Sequence, residues 1–296
     1  MRLIKCLVSK VEETTHTLSL RFAGISFLCN ILIITAVFAQ PTPHKQLYVH
    51  AWNGVYVKEH AAMKSKVVAH LRYGDSVWVS GQHRERDTVN ISICKAHTIT
   101  KNATKIAFSE WRERAEWIFV RSPKGSGFIP SVYLSDKPPL LLDSAIQRAR
   151  EGIDEYFFRT RGLLEGKPVH RNIEDVGRYY RRSVFPLYDV NRSVYAGGVV
   201  FERWYSASDH DNFLLILPDW SLVEAYHFLN TLFNLEPQQR RGFEGNIRLI
   251  KKEEHTLVFS NLYATGRKKG IRPQQFIIQQ INETVIITKE ELIVND

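Results

Sequence analysis

Apolar and polar positions alternate through the first third of the chain. "LYVHAW" over 47–52 and "VYVK" over 55–58 each read as a half-buried strand. Ala61, Ala62 and Ser65 follow as a small-residue loop. "KVVAHL" and "DSVWV" predict two further strands, parted at Tyr73-Gly74-Asp75, where glycine supplies the positive φ of a tight turn. A strand over 111–121 comes after a long polar insertion, residues 82–110. Alternation at Ile91, Ile93, Ile99 and Ile106 predicts an extra hairpin inside that insertion. "SPKGSGFIPSVYL" then predicts a Gly-x-Gly turn, an apolar pair and a helical turn ending at Tyr133-Leu134. The inward set of this region is Val57, Val67, Leu71, Trp117 and Ile129, with Trp78 also expected inside.

Pro138 and Pro139 mark a boundary and the start of a linker. Beyond it the period changes. Leu142, Ala145, Ile146, Ala149, Ile153, Tyr156 and Phe157 recur at helical spacing, so a helix is expected from about Leu141. Residues 172–182 predict a short helix capped by Asn172. Strand-like runs follow at 184–190, 193–206 and 212–217. "PDWSLVEAYHFLNTLFN" carries a capping box, Ser221 with Glu224, and one apolar face formed by Leu222, Ala225, Tyr226, Leu229, Leu232 and Phe233. Four more strands, 246–252, 256–263, 274–281 and 284–288, are joined by turns at Glu253-Glu254 and Asn282-Glu283. Strands grouped around one long amphipathic helix predict an α+β domain over 140–296 with a mostly antiparallel sheet.

The motifs of the first region, taken in order, resemble the bacterial SH3-like domain over residues 46–136. Val55, Val57 and Lys58 stand at that family's first strand motif, and Lys66-Val67-Val68, Leu71 and Gly74-Asp75 at its second. Trp117 and Val120 match the next strand, and Gly125, Gly127-Phe128-Ile129 and Tyr133-Leu134 the last. Lys58-Glu59-His60-Ala61 departs from the family's Arg-Ser-Gly-Pro, and residues 82–110 exceed its usual connection. The resemblance implies a small β-barrel that binds cell-wall peptide or acts as a spacer beside an effector domain. Trp52, Tyr56, Trp111 and Tyr133 are then the candidate groove aromatics, because flat rings bind peptide or sugar faces at low entropic cost.

Residues 22–39 carry no charge and follow Arg21, Lys10, Lys5 and Arg2, which reads as a secretory signal peptide ending before Gln40. The same stretch is near the minimum length for a membrane anchor, and that alternative stays open. Removing residues 1–39 lowers the formal charge from +9 to +7. A basic exported protein meets anionic envelope polymers or acidic proteins in the periplasm or cell envelope, and nucleic acid is not an expected partner. Of Cys6, Cys29 and Cys94 only the last survives cleavage, so no internal disulfide forms.

Catalytic motifs are sparse. The second half has no Cys for a cysteine peptidase, no H-E-x-x-H and no G-x-S-x-G. Asp209, His210 and Asp211 read as a polar turn, and His227 as a satisfied helix histidine. Glu202 and Glu224 are the one carboxylate pair worth naming for glycoside chemistry. No cofactor, metal or catalytic residue is assigned. The run Arg178, Tyr179, Tyr180, Arg181 and Arg182 has the composition of a partner surface. The expectation is a non-enzymatic exported envelope protein, an SH3-like module beside a protein-binding α+β domain. A cell-wall hydrolase with an unfamiliar site in 140–296, and a periplasmic inhibitor or immunity protein against a secreted toxin, are the alternatives.

Overall fold

In the first region a sheet grows from short, valine-rich strands. β1 (Lys45–Val49), β2 (Val55–Lys58) and β3 (Val67–Leu71) lead into the long β4 (Ser76–Cys94). β5 (His97–Lys101) and β6 (Thr104–Phe108) pair as a separate antiparallel hairpin, the one expected inside the insertion. β7 (Trp111–Ser122) and β8 (Gly125–Pro130) follow, then a 3-10 turn at Ser131–Tyr133 and β9 (Leu134–Ser135). The computed structural model describes residues 45–101, 104–143, 148–165, 188–206, 211–235, 247–261 and 274–291. The uncharged stretch over 22–39 lies outside them.

Seven of these strands form one antiparallel sheet in the order β3-β2-β8-β7-β4-β1-β9. The sheet is open, with β3 and β9 at its ends, and does not close as the expected barrel would. Its core holds Val57, Leu71, Val77, Val120 and Ile129. Trp117 is also buried, but Val67 is exposed and so is Trp78. The reason at Val67 is a register irregularity between Val57 and Lys58, opposite Val67, which breaks the two-residue alternation. Gly127 is required where β8 crosses β2, since a Cβ there would stand 2.3 Å from the Lys58 carbonyl oxygen.

The second half starts differently from its helical period. β10 (Leu142–Asp143) and β11 (Arg148–Ala149) make a minimal hairpin, and helix α1 begins only at Ile153 and runs to Arg161. The Leu141 amide donates to Glu151 at 2.6 Å, and Gly152 at the N-cap holds the chain extended just before α1. Pro138 and Pro139 are fastened rather than loose: Tyr156 donates to the Pro138 carbonyl at 2.8 Å and Arg159 to that of Pro139 at 3.0 Å.

β12 (Leu163–Glu165), β13 (Tyr188–Tyr195), β14 (Val199–Ser206) and β15 (Asp211–Pro218) precede α2 (Leu222–Phe233). β16 (Arg248–Lys252), β17 (Thr256–Ser260), β18 (Gln274–Ile281) and β19 (Thr284–Glu291) complete an eight-stranded antiparallel sheet, order β12-β13-β14-β15-β19-β18-β17-β16. Gly197 and Gly198, both with positive φ, turn β13 into β14 where the sequence pattern ran on as one strand. The capping box of α2 is present as expected: Ser221 accepts from the Glu224 amide, and Glu224 accepts from the Ser221 amide. The short helix expected over 172–182 lies outside the described residues.

The molecule is thus β-rich, with two antiparallel sheets and few helices. Residues Lys45–Asp296 form one compact unit, without a break at the prolines. Cys94 and Trp111, from the first region, belong to the same core as Tyr156, Phe157, Leu229 and Phe259 from the second. No helix among the described residues is long and apolar enough to cross a membrane.

Candidate functional site

The β2–β3 hairpin places its side chains by simple alternation, up to the irregularity. Val55 and Val57 point into the core, so Tyr56 between them points out and is 58% exposed. Tyr56 sits directly opposite His70 on β3, and their rings are 4.9 Å apart. The slipped register turns Val67 and Val68 both toward solvent, at 45% and 44% exposure. Met63 is exposed at the tip. The loop itself is well held. The Glu59 amide donates to the Lys66 carbonyl at 3.0 Å, the His60 amide to Ser65 Oγ at 2.9 Å, and Lys58 Nζ to the Ser65 carbonyl at 3.1 Å. Between 58 and 72 stand Lys58, Lys64, Lys66 and Arg72 against the single carboxylate Glu59. The next carboxylate, Asp75, is paired with Lys124 and accepts from the Arg72 amide. The hairpin therefore offers an aromatic pair, an apolar fringe and an excess of positive charge, on a rigid loop.

The other candidate groove aromatics are less exposed. Trp52 is half-buried, 5.9 Å from the Tyr73 ring. Tyr133 is half-buried beside His227, and burial raises its phenol pKa. Trp111 is not at a surface at all: it is fully buried, edge-on to Tyr226 at 5.3 Å, and its indole N–H donates to Glu113. It leads β7 on the face that meets α2, so its ring is core. Burial removes Trp111 from any groove, while Tyr56 is the most exposed of the four rings and Trp52 and Tyr133 are half-buried. Residues 178–182 lie outside the described residues.

A polar cluster lies where the first sheet meets α2. Ser135 donates to Glu224 Oε1 at 2.5 Å and accepts from the Lys137 amide. Lys137 Nζ bridges Glu224 at 3.2 Å and Asp136 at 2.8 Å. His50 Nε2 lies 2.9 Å from the Lys137 carbonyl and His227 Nε2 3.2 Å from that of Val132. A carbonyl only accepts, so both rings carry their proton on Nε2. His50 Nδ1 is buried with no partner among the described residues. Burial lowers the pKa of His50, and burial with the nearby His50 lowers that of His227 to about 3. Burial opposes ionisation of Asp136, but hydrogen bonds from Lys137 and Lys45 outweigh it and bring that carboxyl to about 2. Ser135, His50 and His227 are closed to solvent. The hydroxyl meets a carboxylate that also caps a helix, so this cluster fastens the two sheets together instead of presenting a nucleophile.

Other polar groups are similarly occupied. Lys289 and Glu291 form a buried ion pair at 3.0 Å, with Lys289 Nζ 5.9 Å from the centroid of the Phe233 ring. Glu202 pairs with Arg192 at 3.3 Å. A shallow depression of about 380 Å³ beside α1 is lined by Asp154, Glu155, Phe158, Leu163, Ser193 and Tyr195. Its Asp154 is already bonded to the Tyr195 hydroxyl. Among the described residues no three His, Cys, Asp or Glu side chains converge to hold a metal ion.

Fold and surface together define a β-rich protein of two antiparallel sheets joined through one core, with exposed aromatic and apolar side chains on a basic hairpin among the described residues. No family model, curated protein or solved structure matches the chain.

Proposed function

We propose that this is a non-enzymatic exported protein of the cell envelope. In this reading the first sheet is an SH3-like module that binds wall peptide or an envelope protein on the β2–β3 hairpin. The second sheet holds that module rigidly and carries a further protein-binding surface. The observation that carries the reading is the exposed Tyr56–His70 ring pair on a braced loop flanked by lysines. Exposed aromatic and cationic side chains that are already ordered bind with little loss of conformational freedom. The apolar leader and the positive charge agree with export to an anionic surface.

Sedimentation of the full chain with isolated wall fragments tests this. Binding is expected, weakened roughly tenfold by Tyr56→Ala, with the fragments unchanged in mass. Cleaved fragments would replace the binding reading with a hydrolase.

A further inference from the structure

β3 ends its sheet, and none of Val67–Leu71 makes a backbone hydrogen bond beyond the ladder to β2 among the described residues. The other sheet ends differ. β9 and β12 are only two and three residues long. β16 is met by Ser109, whose amide and hydroxyl donate to the carbonyls of Leu249 and Ile250. β3 is therefore a five-residue edge left open, with Val67, Val68 and His70 exposed along it.

Soluble proteins usually blunt such an edge with bulges, lysines or short length, because its unpaired N–H and C=O groups template another strand. β3 has an irregularity at Val68 and flanking lysines, yet no segment covers it among the described residues. Here the flanking charges choose which strand. Lys64 and Lys66 precede β3 and Arg72 follows it, all exposed. A second copy of this chain paired antiparallel about Ala69 would set Lys66 opposite Arg72, a like-charge pair that disfavours self-pairing. A strand with acidic side chains meets the opposite situation at both ends.

We propose that the β3 edge takes an extended acidic polypeptide segment by strand addition. Main-chain bonds to β3 supply affinity. Lys64, Lys66 and Arg72 select carboxylates, and Val67 and Val68 contact the apolar alternates. The inference rests on the reading of the hairpin as the binding surface, and names the class of partner for it.

The test uses the full chain and three labelled peptides, read by fluorescence anisotropy: Ac-EVEVEVE-NH2, the same peptide N-methylated at alternate residues, and Ac-KVKVKVK-NH2. The first is expected to bind saturably. The N-methylated and lysine peptides should bind at least about tenfold more weakly. Lys64→Glu with Lys66→Glu changes only exposed side chains, and should weaken the first peptide and strengthen the third by similar factors. Equal binding of the N-methylated peptide, no binding of the first, or a dimer of the free chain held through β3 overturns the inference. Wall fragments that still depend on Tyr56 while the first peptide fails leave the function reading standing and strand addition refuted. The reverse result refutes the wall ligand and keeps the edge.

Discussion

Trp111 begins a strand whose polar-apolar alternation is plain, yet alternation does not say what lies opposite each face. Period two sorts side chains into two sets. It cannot tell that the Trp111 set meets α2, which follows more than a hundred residues later. The ring is therefore core, packed on Tyr226. Trp111→Ala should destabilise the protein by about 3–5 kcal/mol. In urea both sheets should lose structure together, because the ring belongs to the core shared by the two regions. An unchanged midpoint would place the ring outside that core. Val67 is the converse case. Its sequence position is inward, and one slipped register puts it in water. Tyr56 was legible, because the valines on either side had to be buried.

The elements were mostly visible as periods, and their ends were not. The capping box of α2 and the β18–β19 hairpin with its turn at Asn282-Glu283 lie where pattern and turn chemistry put them. α1 starts eleven residues after Leu142, because the segment before it is claimed by a minimal hairpin and by Glu151, features with no periodic signature. The insertion carries the expected hairpin, but its role came from tertiary contact. Its end reaches β16, where the Ser109 amide donates to Leu249 at 3.1 Å and Arg248 lies over the Phe108 ring. It protects an edge of the second sheet. Ser109→Pro removes that donor and should cost about 1–3 kcal/mol. The loosened edge should also raise light scattering on mild heating. Stability and scattering equal to those of the natural chain would show that β16 needs no cover.

At the scale of the whole molecule, the two halves share a core and a buried polar junction, so the proline boundary does not separate independent bodies. This junction predicts acid sensitivity. His50 and His227 both have pKa values lowered by burial. A lowered histidine stabilises the fold fully above its unfolded value near 6.5, and that contribution fades as pH falls toward the folded value. Glu224, Lys137 and Asp136 face His50, and Asp136 is lowered to about 2, so its own stabilisation persists until far lower pH. Stability should decline between pH 6.5 and pH 4, by about 3 kcal/mol for His227 alone. His227→Leu should flatten that decline in urea titrations at several pH values. A flat profile in the natural chain would mean the rings are not buried neutral.

The alternating valines, glycine turns and capping box determined by themselves that the chain is β-rich, where most strands run and which helix is amphipathic. These are local consequences of side-chain period and backbone freedom. Tertiary structure alone decided that the first sheet stays open at β3, that Trp111 and Cys94 join a distant core, and that two histidines meet a helix cap at the junction. Such facts depend on which apolar faces find each other across the fold, and no local period carries that information.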